Sequence, residues 1–211
     1  MSVTIHPSSL VDPKAELDEG VEIGPFCVVG PQVKLGKNVK LIGQVNLAGD
    51  TRIDDDCELY PFVSMGHPPQ DFKHKGGPVR IEIGARSVFR ENVNIHPGVD
   101  VGEPVTRIGA HAFIGGMATV TTDVIPYGSV IGNAAHLAGL NVIGLKRRGF
   151  SREKIRDLRS AYRLLFAQEG TFAERLEDVS ESYADHELVM EIIGFIREQK
   201  NRRICMPHTG T

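Results

Sequence analysis

The chain has 211 residues, of which 24 are lysine or arginine and 27 are aspartate or glutamate, so its formal net charge is −3 at pH 7. This near-neutral balance gives no general basic field for nucleic acid or an anionic membrane surface, and we expect neither as a partner. Three cysteines without a CxxC spacing favour a reduced, cytoplasmic setting, and the absence of a long apolar run argues against stable membrane insertion.

An aliphatic residue or methionine recurs every six residues in the first third of the chain. The column runs through Ile5, Val11, Leu17, Ile23, Val29, Leu35, Leu41, Leu47, Ile53, Leu59 and Met65. Small or β-branched residues stand two positions before the members from Val11 onward, which indicates a second buried column. A period of six fits neither an α-helix nor one long strand. Each hexad is therefore predicted to be a short extended side and a corner, with three sides closing a triangular coil.

Glycines support this interpretation, because several of them directly follow a column residue, where a corner needs backbone freedom. These are Gly24, Gly30, Gly36, Gly84, Gly109 and Gly115. Stacked coils would pair their backbones in parallel and bury a continuous aliphatic column, so the predicted fold is an all-β solenoid, a parallel β-helix. The alternative is a β-sandwich with coincidental spacing, which would not keep a fixed period of six.

The period of six breaks after Met65. Residues 66–80, GHPPQDFKHKGGPVR, contain three prolines and no aliphatic column, which predicts a loop extruded from one corner. The period resumes in Ile83, Phe89, Ile95 and Val101, and then continues in Ile108, Ile114 and Val120. A slip of one residue near Glu103 separates these two runs, and we expect six to seven coils in total.

The pattern becomes helical after Val142, and we place a boundary near Gly149. Residues 1–148 are expected to form the β-helix and residues 149–211 a C-terminal α-helical segment. The predicted helix caps are Ser151 for the first helix, Thr171 with Glu174 for the second and Asp185 for the third. The tail from Asn201 is expected to fray. The amphipathic helices are expected to pack on the end of the solenoid or on a neighbouring subunit, which favours an oligomer.

Two polar segments outside the regular coils are candidates for ligand binding. They contain Gln70, Asp71 and Lys73 in the loop, and Lys146, Arg147 and Arg148 before the helices. The loop residues combine acceptors and donors suited to sugar hydroxyls and phosphate, and the cationic cluster suits a diphosphate. The alternatives are a solvated polar loop and a basic approach to a helix.

The eight histidines do not predict a metal site. Zinc enzymes that resemble γ-class carbonic anhydrases use three histidines with a short His-x4-His pair, which the sequence lacks, so no metal is expected. His96 and His111 lie on predicted coils. Each could face a cleft or be a solvated side chain on the polar outer wall. The sequence also lacks the GxSxG, Walker and Rossmann motifs.

Four segments carry a resemblance to a known family. They are IGPFCVVGP, GHPPQDFKHKGGP, RENVNIHPG and GNAAHLAGLNVIGLKRRGFS. Together they resemble the acyl-[acyl-carrier-protein]–UDP-N-acetylglucosamine O-acyltransferases of lipid A synthesis over nearly the whole chain, and the GLKRRGFS run is the most specific of them. The resemblance implies a cytoplasmic homotrimer of left-handed β-helices with active sites between subunits and no cofactor.

The resemblance also implies a reaction and a set of site residues. The reaction is the first step of lipid A synthesis, in which a 3-hydroxyacyl chain passes from acyl carrier protein to the 3-hydroxyl of UDP-N-acetylglucosamine. By their match to the family, Gln70, Asp71 and Lys73 would hold the sugar nucleotide, and Asn141, Arg147 and Arg148 would contact the nucleotide and its phosphates.

The sequence departs from the family in one place. The family pattern includes a stretch of the form HVAHDC whose second histidine is the general base, whereas this chain passes from IHPGVDVGEPVTRIG directly to AHAFIGGMATVTTDVIPYG. About fifty residues, or three coils, would then be missing, and whole coils can be lost without disturbing the phase.

Loss of a positioned general base ordinarily costs about 10²–10⁴ in rate, so the activity is expected to be impaired. His111 and His136 are the candidates for a substitute base. The alternative function is a non-catalytic trimeric sugar-nucleotide-binding or scaffold protein derived from the enzyme.

Overall fold

The structure is a computed structural model that describes residues 2–198 and 203–208. Short strands follow one another along the chain up to Leu140. In chain order they are β1 (Thr4–Ile5), β2 (Leu10–Val11), β3 (Glu16–Leu17), β4 (Glu22–Ile23), β5 (Val28–Val29), β6 (Lys34–Leu35), β7 (Lys40–Leu41), β8 (Asn46–Leu47), β9 (Asp50–Ile53), β10 (Glu58–Leu59), β11 (Ser64–Met65), β12 (Arg80–Ile83), β13 (Val88–Phe89), β14 (Asn94–Ile95), β15 (Val105–Ile108), β16 (Phe113–Ile114), β17 (Thr119–Val120), β18 (Gly128–Ile131) and β19 (His136–Leu140).

These strands form three sheets, and successive strands of one sheet belong to successive coils. Sheet A contains β1, β4, β7, β10, β13, β16, β18 and β19, sheet B contains β2, β5, β8, β11, β14 and β17, and sheet C contains β3, β6, β9, β12 and β15. The coil-to-coil pairs are parallel, and β18 and β19 add an antiparallel pair at the end of sheet A. Partners in regular coils, such as Ile5 and Ile23, are 18 positions apart, as three sides of six residues require. The predicted parallel β-helix is confirmed.

The predicted aliphatic column fills the interior of this triangular prism. Its members are almost completely buried from Ile23 onward through the regular coils. Ile5 is exposed and Val11 and Leu17 are half-buried, because the first coil contacts a neighbouring coil on one side. All three cysteines are buried and unpaired.

The predicted position of Val101 in the column is wrong. Its side chain is 64% exposed, and it lies in a segment, residues 96–104, that leaves the coil between β14 and β15. Ile83 pairs with Ile108, 25 positions later, whereas the regular spacing is 18. The irregularity is therefore an insertion of several residues rather than a slip of one, and it departs from the same corner, between sheets B and C, as the loop 66–80.

Two of the three corners are lined by non-glycine residues in the left-handed backbone region. The corner between sheets A and B contains Phe26, Gln44, Phe62, Asn92 and Met117, and the corner between sheets C and A contains Asn38, Asp56, Arg86, His111 and Tyr127. This conformation ordinarily costs about 1–2 kcal/mol per residue. Hydrogen bonds between coils offset the cost. The backbone N–H at these positions donates to a carbonyl of the preceding coil, as His111 does to Ala85, except that Phe26 donates to the hydroxyl of Ser8.

Four helices follow the last strand. They are α1 (Val142–Arg147), α2 (Arg152–Leu165), α3 (Phe172–Ser182) and α4 (Glu187–Glu198). The predicted N-cap Ser151 and the capping box of Thr171 and Glu174 are confirmed. Helix α1 was missed by the sequence prediction, and the cap assigned to Asp185 is wrong, because α4 begins at Glu187 and Asp185 lies in the preceding turn. The domain boundary at 148/149 stays a prediction.

Helix α4 and the end of the chain pack on the solenoid. The buried Arg107 of β15 donates to the carboxylates of Asp123 and Glu198 and to the carbonyl of Phe195, which attaches the C-terminal turn of α4 to sheet C. Cys205 N–H donates to the carbonyl of Asp123, so the expected fraying is wrong for residues 203–208. Residues 201 and 202 lie outside the described part of the chain. No helix within the described residues is long and apolar enough to cross a membrane.

Candidate substrate-binding site

Two of the three residues predicted from the loop line a small cavity at the corner between sheets B and C. This loop pocket has a volume of about 230 Å3 and is lined by Pro69, Gln70, Asp71, His96, Pro97, Gly98, Val99, Glu103, Thr119 and Thr121. Its walls come from the loop 66–80, from the insertion 96–104 and from β17. The pocket holds Gln70 and Asp71, whereas Lys73 is exposed beside it.

The loop 66–80 is held by a residue that the sequence prediction did not include, Asp100 of the insertion. Its carboxylate accepts hydrogen bonds from the backbone N–H groups of Lys75 and Gly77 at 3.0 and 2.7 Å, and it lies 3.2 Å from Nδ1 of His74. These hydrogen bonds lower the pKa of Asp100, and the bond from Lys75 has the largest effect. Within the loop, Asp71 Oδ1 accepts from the backbone N–H of Lys73. These bonds fix the backbone on which Gln70 and Asp71 stand.

His96 faces the loop pocket from the wall of the solenoid. It directly follows β14, and its Nε2 lies 3.4 Å from the side-chain amide nitrogen of Gln70. Desolvation, and to a smaller extent the neighbouring His67, lower the pKa of His96 below its ordinary value of 6.5. The imidazole is therefore neutral near pH 7, and one ring nitrogen is able to accept a proton.

The residues predicted at the start of the helices line a larger cleft against sheet A. This junction cleft has a volume of about 780 Å3 and is lined by Glu58, Tyr60, Val88, Arg90, Phe113, Ser129, Leu140, Asn141, Val142, Ile143, Gly144, Arg147 and Arg148. Apolar side chains of sheet A and α1 share the lining with three arginines and Glu58, and the guanidinium of Arg90 lies 4.3 Å from the ring centre of Tyr60. An apolar floor with cations at its rim suits a base or acyl group that carries phosphate.

The three predicted residues of this cleft have different local roles. Asn141 caps α1, since its Oδ1 accepts from Gly144 N–H and its Nδ2 donates to the carbonyl of His111. The guanidinium of Arg148 donates to the backbone carbonyl of Arg86, which lies in the corner between sheets C and A. Arg147 is exposed at the rim. Asn141 and Arg148 therefore fix the junction, while Arg147 is available to a ligand.

His111 lies beside the junction cleft, in the corner between sheets C and A. Its ring is stacked on Tyr127 at 5.5 Å and meets the edge of Phe150 at 5.3 Å. Only 9% of the residue is exposed. Burial, followed by the positive charges of Arg148 and Arg86, lowers the pKa of His111 to about 4.

His136 is placed less favourably for chemistry. It stands on the antiparallel strand β19, with Nδ1 3.4 Å from the carbonyl oxygen of Ala134, and its ring packs edge-on against His208 at 5.2 Å. It lines neither the loop pocket nor the junction cleft.

The two groups of predicted residues are not brought together within one chain. Gln70 lines the loop pocket but not the junction cleft, and Arg147 lines the junction cleft but not the loop pocket. The loop pocket occupies a corner of the prism, and the junction cleft lies on the outer face of sheet A. No group of histidine, cysteine, aspartate and glutamate within the described residues has a geometry suited to a metal ion.

The sequence prediction missed several residues that line these cavities. Tyr60 and Arg90 in the cleft stand just beyond strand ends of sheet A, where the hexad pattern gives no signal that distinguishes a ligand contact from a solvated side chain. Glu103 lines the loop pocket, and Asp100 holds the loop without lining it; the sequence predicted a slip of one residue near Glu103 and therefore missed the insertion that contains both.

Comparison with known proteins gives a consistent result. Residues 123–205 match the family model described as UDP-N-acetylglucosamine O-acyltransferase, domain 2. The chain is 42% identical to the acyl-[acyl-carrier-protein]–UDP-N-acetylglucosamine O-acyltransferase of Caulobacter vibrioides over an alignment of 259 residues, which covers 97% of this chain and 98% of the relative. The enzyme of the same name from Brucella ovis is 35% identical over 257 residues, which covers 96% of this chain and 92% of the relative.

Solved structures agree with this result. The UDP-N-acetylglucosamine O-acyltransferase of Moraxella catarrhalis superposes with a TM-score of 0.53 at 26% identity and covers 96% of this chain and 99% of that chain. The protein from Acinetobacter baumannii gives a TM-score of 0.52 at 25% identity, with coverage of 97% and 99%. The fold is that of the left-handed parallel β-helix acyltransferases, as the resemblance implied.

Proposed function

Because the chain belongs to the family of acyl-[acyl-carrier-protein]–UDP-N-acetylglucosamine O-acyltransferases, we propose that it transfers a 3-hydroxyacyl chain from acyl carrier protein to the 3-hydroxyl of UDP-N-acetylglucosamine. This reaction is the first step of lipid A synthesis, and we assign it to the cytoplasm. The observation that carries the proposal is the junction cleft, in which the segment that matches the family model meets an apolar floor with a cationic rim.

In this proposal the junction cleft holds the nucleotide. Arg147 contacts the diphosphate, for which a guanidinium supplies paired donors. Arg148 and Asn141 keep the junction in place through their bonds to Arg86 and His111 and lie close enough to reach the ligand as well. The apolar floor accommodates the uracil ring or the first part of the acyl chain.

The loop pocket would hold the sugar. Gln70 and Asp71 line a space of about 230 Å3, which is below the usual range of about 300–1,000 Å3 for drug-sized ligands and suits one monosaccharide unit. Lys73 beside the pocket would meet a phosphate. Because the pocket and the cleft lie on different sides of one chain, we propose that a second copy completes each site and that the protein is a homotrimer.

A cationic groove on α2 is a suitable surface for acyl carrier protein. It is lined by Val142, Lys146, Arg152, Ile155, Arg156, Arg159, Ser160 and Arg163. Val142 also lines the junction cleft, so a carrier bound there would deliver its phosphate-bearing arm toward the cleft. The groove favours a partner that presents acidic groups.

We also propose that the solenoid is three coils shorter than in these relatives. Since 97% of this 211-residue chain is about 205 residues, an alignment of 259 residues contains about 54 positions occupied in the relative alone. At 18 residues per coil this excess corresponds to three whole coils. The remaining coils are continuous across the expected junction after Gly109, where β15 pairs with β12 and β16 with β13 in register.

This shortening favours the second candidate function, a non-catalytic trimeric sugar-nucleotide binder or scaffold.

The first measurement is therefore the binding of UDP-N-acetylglucosamine by calorimetry. We expect Arg147→Ala to weaken binding about tenfold or more, because a hydrogen bond to a charged group contributes about 1.5–3 kcal/mol. Arg163→Ala, on α2 and outside the junction cleft, should bind the nucleotide as the parent does. Equal affinities for the parent and Arg147→Ala would contradict the assignment of the cleft, and binding without acyl transfer would favour the scaffold.

A further inference from the structure

We infer that His96 is the residue that takes the proton from the sugar hydroxyl during acyl transfer, acting from the loop pocket. The inference rests on the proposed function and adds to it a catalytic residue.

The corner geometry brings His96 to the loop. Met65, the last residue before the loop, pairs with Ile95, the residue before His96, so loop and histidine leave the same corner in adjacent coils. The ring then faces a cavity whose opposite wall is formed by Gln70 and Asp71. A hydroxyl held by these two loop residues would lie within reach of the imidazole, since Gln70 is already 3.4 Å from Nε2.

The protonation state of His96 is the one that a general base requires. The groups that face it are His67 and Asp71 from the loop, Glu103 from the insertion, and the uncharged Thr119 and Thr121 from β17 and its corner. Desolvation and His67 favour the neutral ring, which is the form that accepts a proton. The two carboxylates lie in the same cavity, but a carboxylate is ordinarily a far weaker base than an imidazole.

The other histidines are less suitable. His111 packs against Tyr127 and Phe150 and has a pKa of about 4, so it is a poor proton acceptor, and the cavity that it lines with Arg86 and Arg148 is not the loop pocket. His136 lines neither cavity.

The step balances with the groups named. As the hydroxyl oxygen forms a bond to the thioester carbonyl carbon, its proton passes to Nε2 of His96. The carbon–sulfur bond then breaks, and the imidazolium returns the proton to the thiolate that leaves on the carrier arm. The products are the ester and the free thiol of the carrier, and His96 is neutral again.

The test is a comparison of His96→Gln with the parent, with acyl transfer from 3-hydroxyacyl carrier protein and calorimetric binding of UDP-N-acetylglucosamine measured on the same preparations. Glutamine keeps a polar side chain of similar reach but cannot act as a base. We expect kcat to fall about 10²–10⁴-fold while nucleotide affinity changes less than about threefold. His6→Gln, at an exposed histidine of the first coil, should keep the turnover of the parent.

A pH profile separates a base from a structural residue. The parent should lose activity as pH falls through the pKa of His96, below about 6.5. His67 lowers the pKa of His96 through its positive charge. The variant His67→Gln lacks that charge, so the acidic limb of its pH–activity profile should move to higher pH. Turnover of His96→Gln within threefold of the parent, or an unchanged acidic limb in His67→Gln, would overturn the inference. A parent that binds nucleotide but does not turn over would overturn the proposed function and the inference together, whereas an active parent unaffected by His96→Gln would overturn the inference alone.

Discussion

At the scale of single residues, His111 lies in an environment that opposes its protonation. The ring is buried between Tyr127 and Phe150 in a left-handed corner, beside two arginines. It is kept neutral because burial and the nearby positive charges oppose its protonation. A histidine in this state packs and stacks like an aromatic residue, and its carbonyl holds the amide of Asn141.

This environment predicts a pH dependence of stability. In the unfolded chain the imidazole titrates near 6.5, and in the folded protein near 4. Below pH 6.5 the unfolded state therefore takes up the proton first, and stability falls as pH decreases toward 4, by about 2–3 kcal/mol from this residue. His111→Asn, which tolerates the left-handed backbone, should show a smaller loss between neutral and acidic pH in urea denaturation. Equal losses in both proteins would contradict the neutral, buried state of His111.

Asp100 is predicted to determine whether the loop is held in its binding conformation. Asp100→Ala removes the acceptor for the backbone N–H groups of Lys75 and Gly77. We expect the KM for UDP-N-acetylglucosamine to rise at least several-fold with little change in the melting temperature, because the contacts lie within an extruded loop. Asp18→Ala, at an exposed position of the first coil, is the control and should keep the KM of the parent. An unchanged KM in Asp100→Ala would show that the loop is ordered without this carboxylate.

At the scale of the elements, corner glycines differ in what their neighbours allow. A Cβ at Gly24 would lie 2.1 Å from the carbonyl oxygen of Ile42 in the next coil, whereas at Gly30 the nearest atom, the carbonyl oxygen of Leu47, is 3.3 Å away. Gly24→Ala must therefore displace backbone and should lower the free energy of unfolding by roughly 1–3 kcal/mol. Gly30→Ala, at the equivalent position of the next side, should have a clearly smaller effect. Equal denaturation midpoints for the two variants would contradict this packing.

The sequence predicted the elements that repeat and missed those that do not. The column from Ile5 to Met65 is visible because every hexad buries the same kind of side chain. The insertion 96–104 was hidden because Val101 preserves the spacing of six by chance while its side chain points to solvent. Helix α1 was missed because six residues are too few to establish a helical period, and its cap, Asn141, had been assigned to ligand binding.

The sequence indicated which segments line the two cavities but not how the cavities are arranged. The sequence indicated both polar segments, and the structure assigns Gln70 and Asp71 to one cavity and Arg147 and Arg148 to another. The side of the prism that each segment occupies depends on the lengths of the loop 66–80 and of the insertion 96–104. Because the sequence prediction missed the insertion, counting hexads along the chain could not assign the sides.

At the scale of the whole molecule, the separation of pocket and cleft predicts that subunits share each site. Gln70→Ala and Arg147→Ala should each reduce acyl transfer when present in every subunit. Co-expression of the two variant chains should restore activity to roughly a quarter of the parent level, because random mixing pairs an intact loop with an intact junction from a neighbour at that frequency. Activity no higher than the average of the two variants would indicate a site within one chain.

Acyl transfer by the parent chain is the most direct test of the proposed function. The chain belongs to an acyltransferase family, and the loop pocket with His96 offers a proton acceptor in a solenoid proposed to lack three coils. The measurement is mass-spectrometric detection of acylated UDP-N-acetylglucosamine formed from 3-hydroxyacyl carrier protein. We predict a product that accumulates with time, at a rate that saturates with sugar-nucleotide concentration and in an amount equal to that of the carrier deacylated. Saturable binding of the sugar nucleotide with no product above the rate without protein would contradict it.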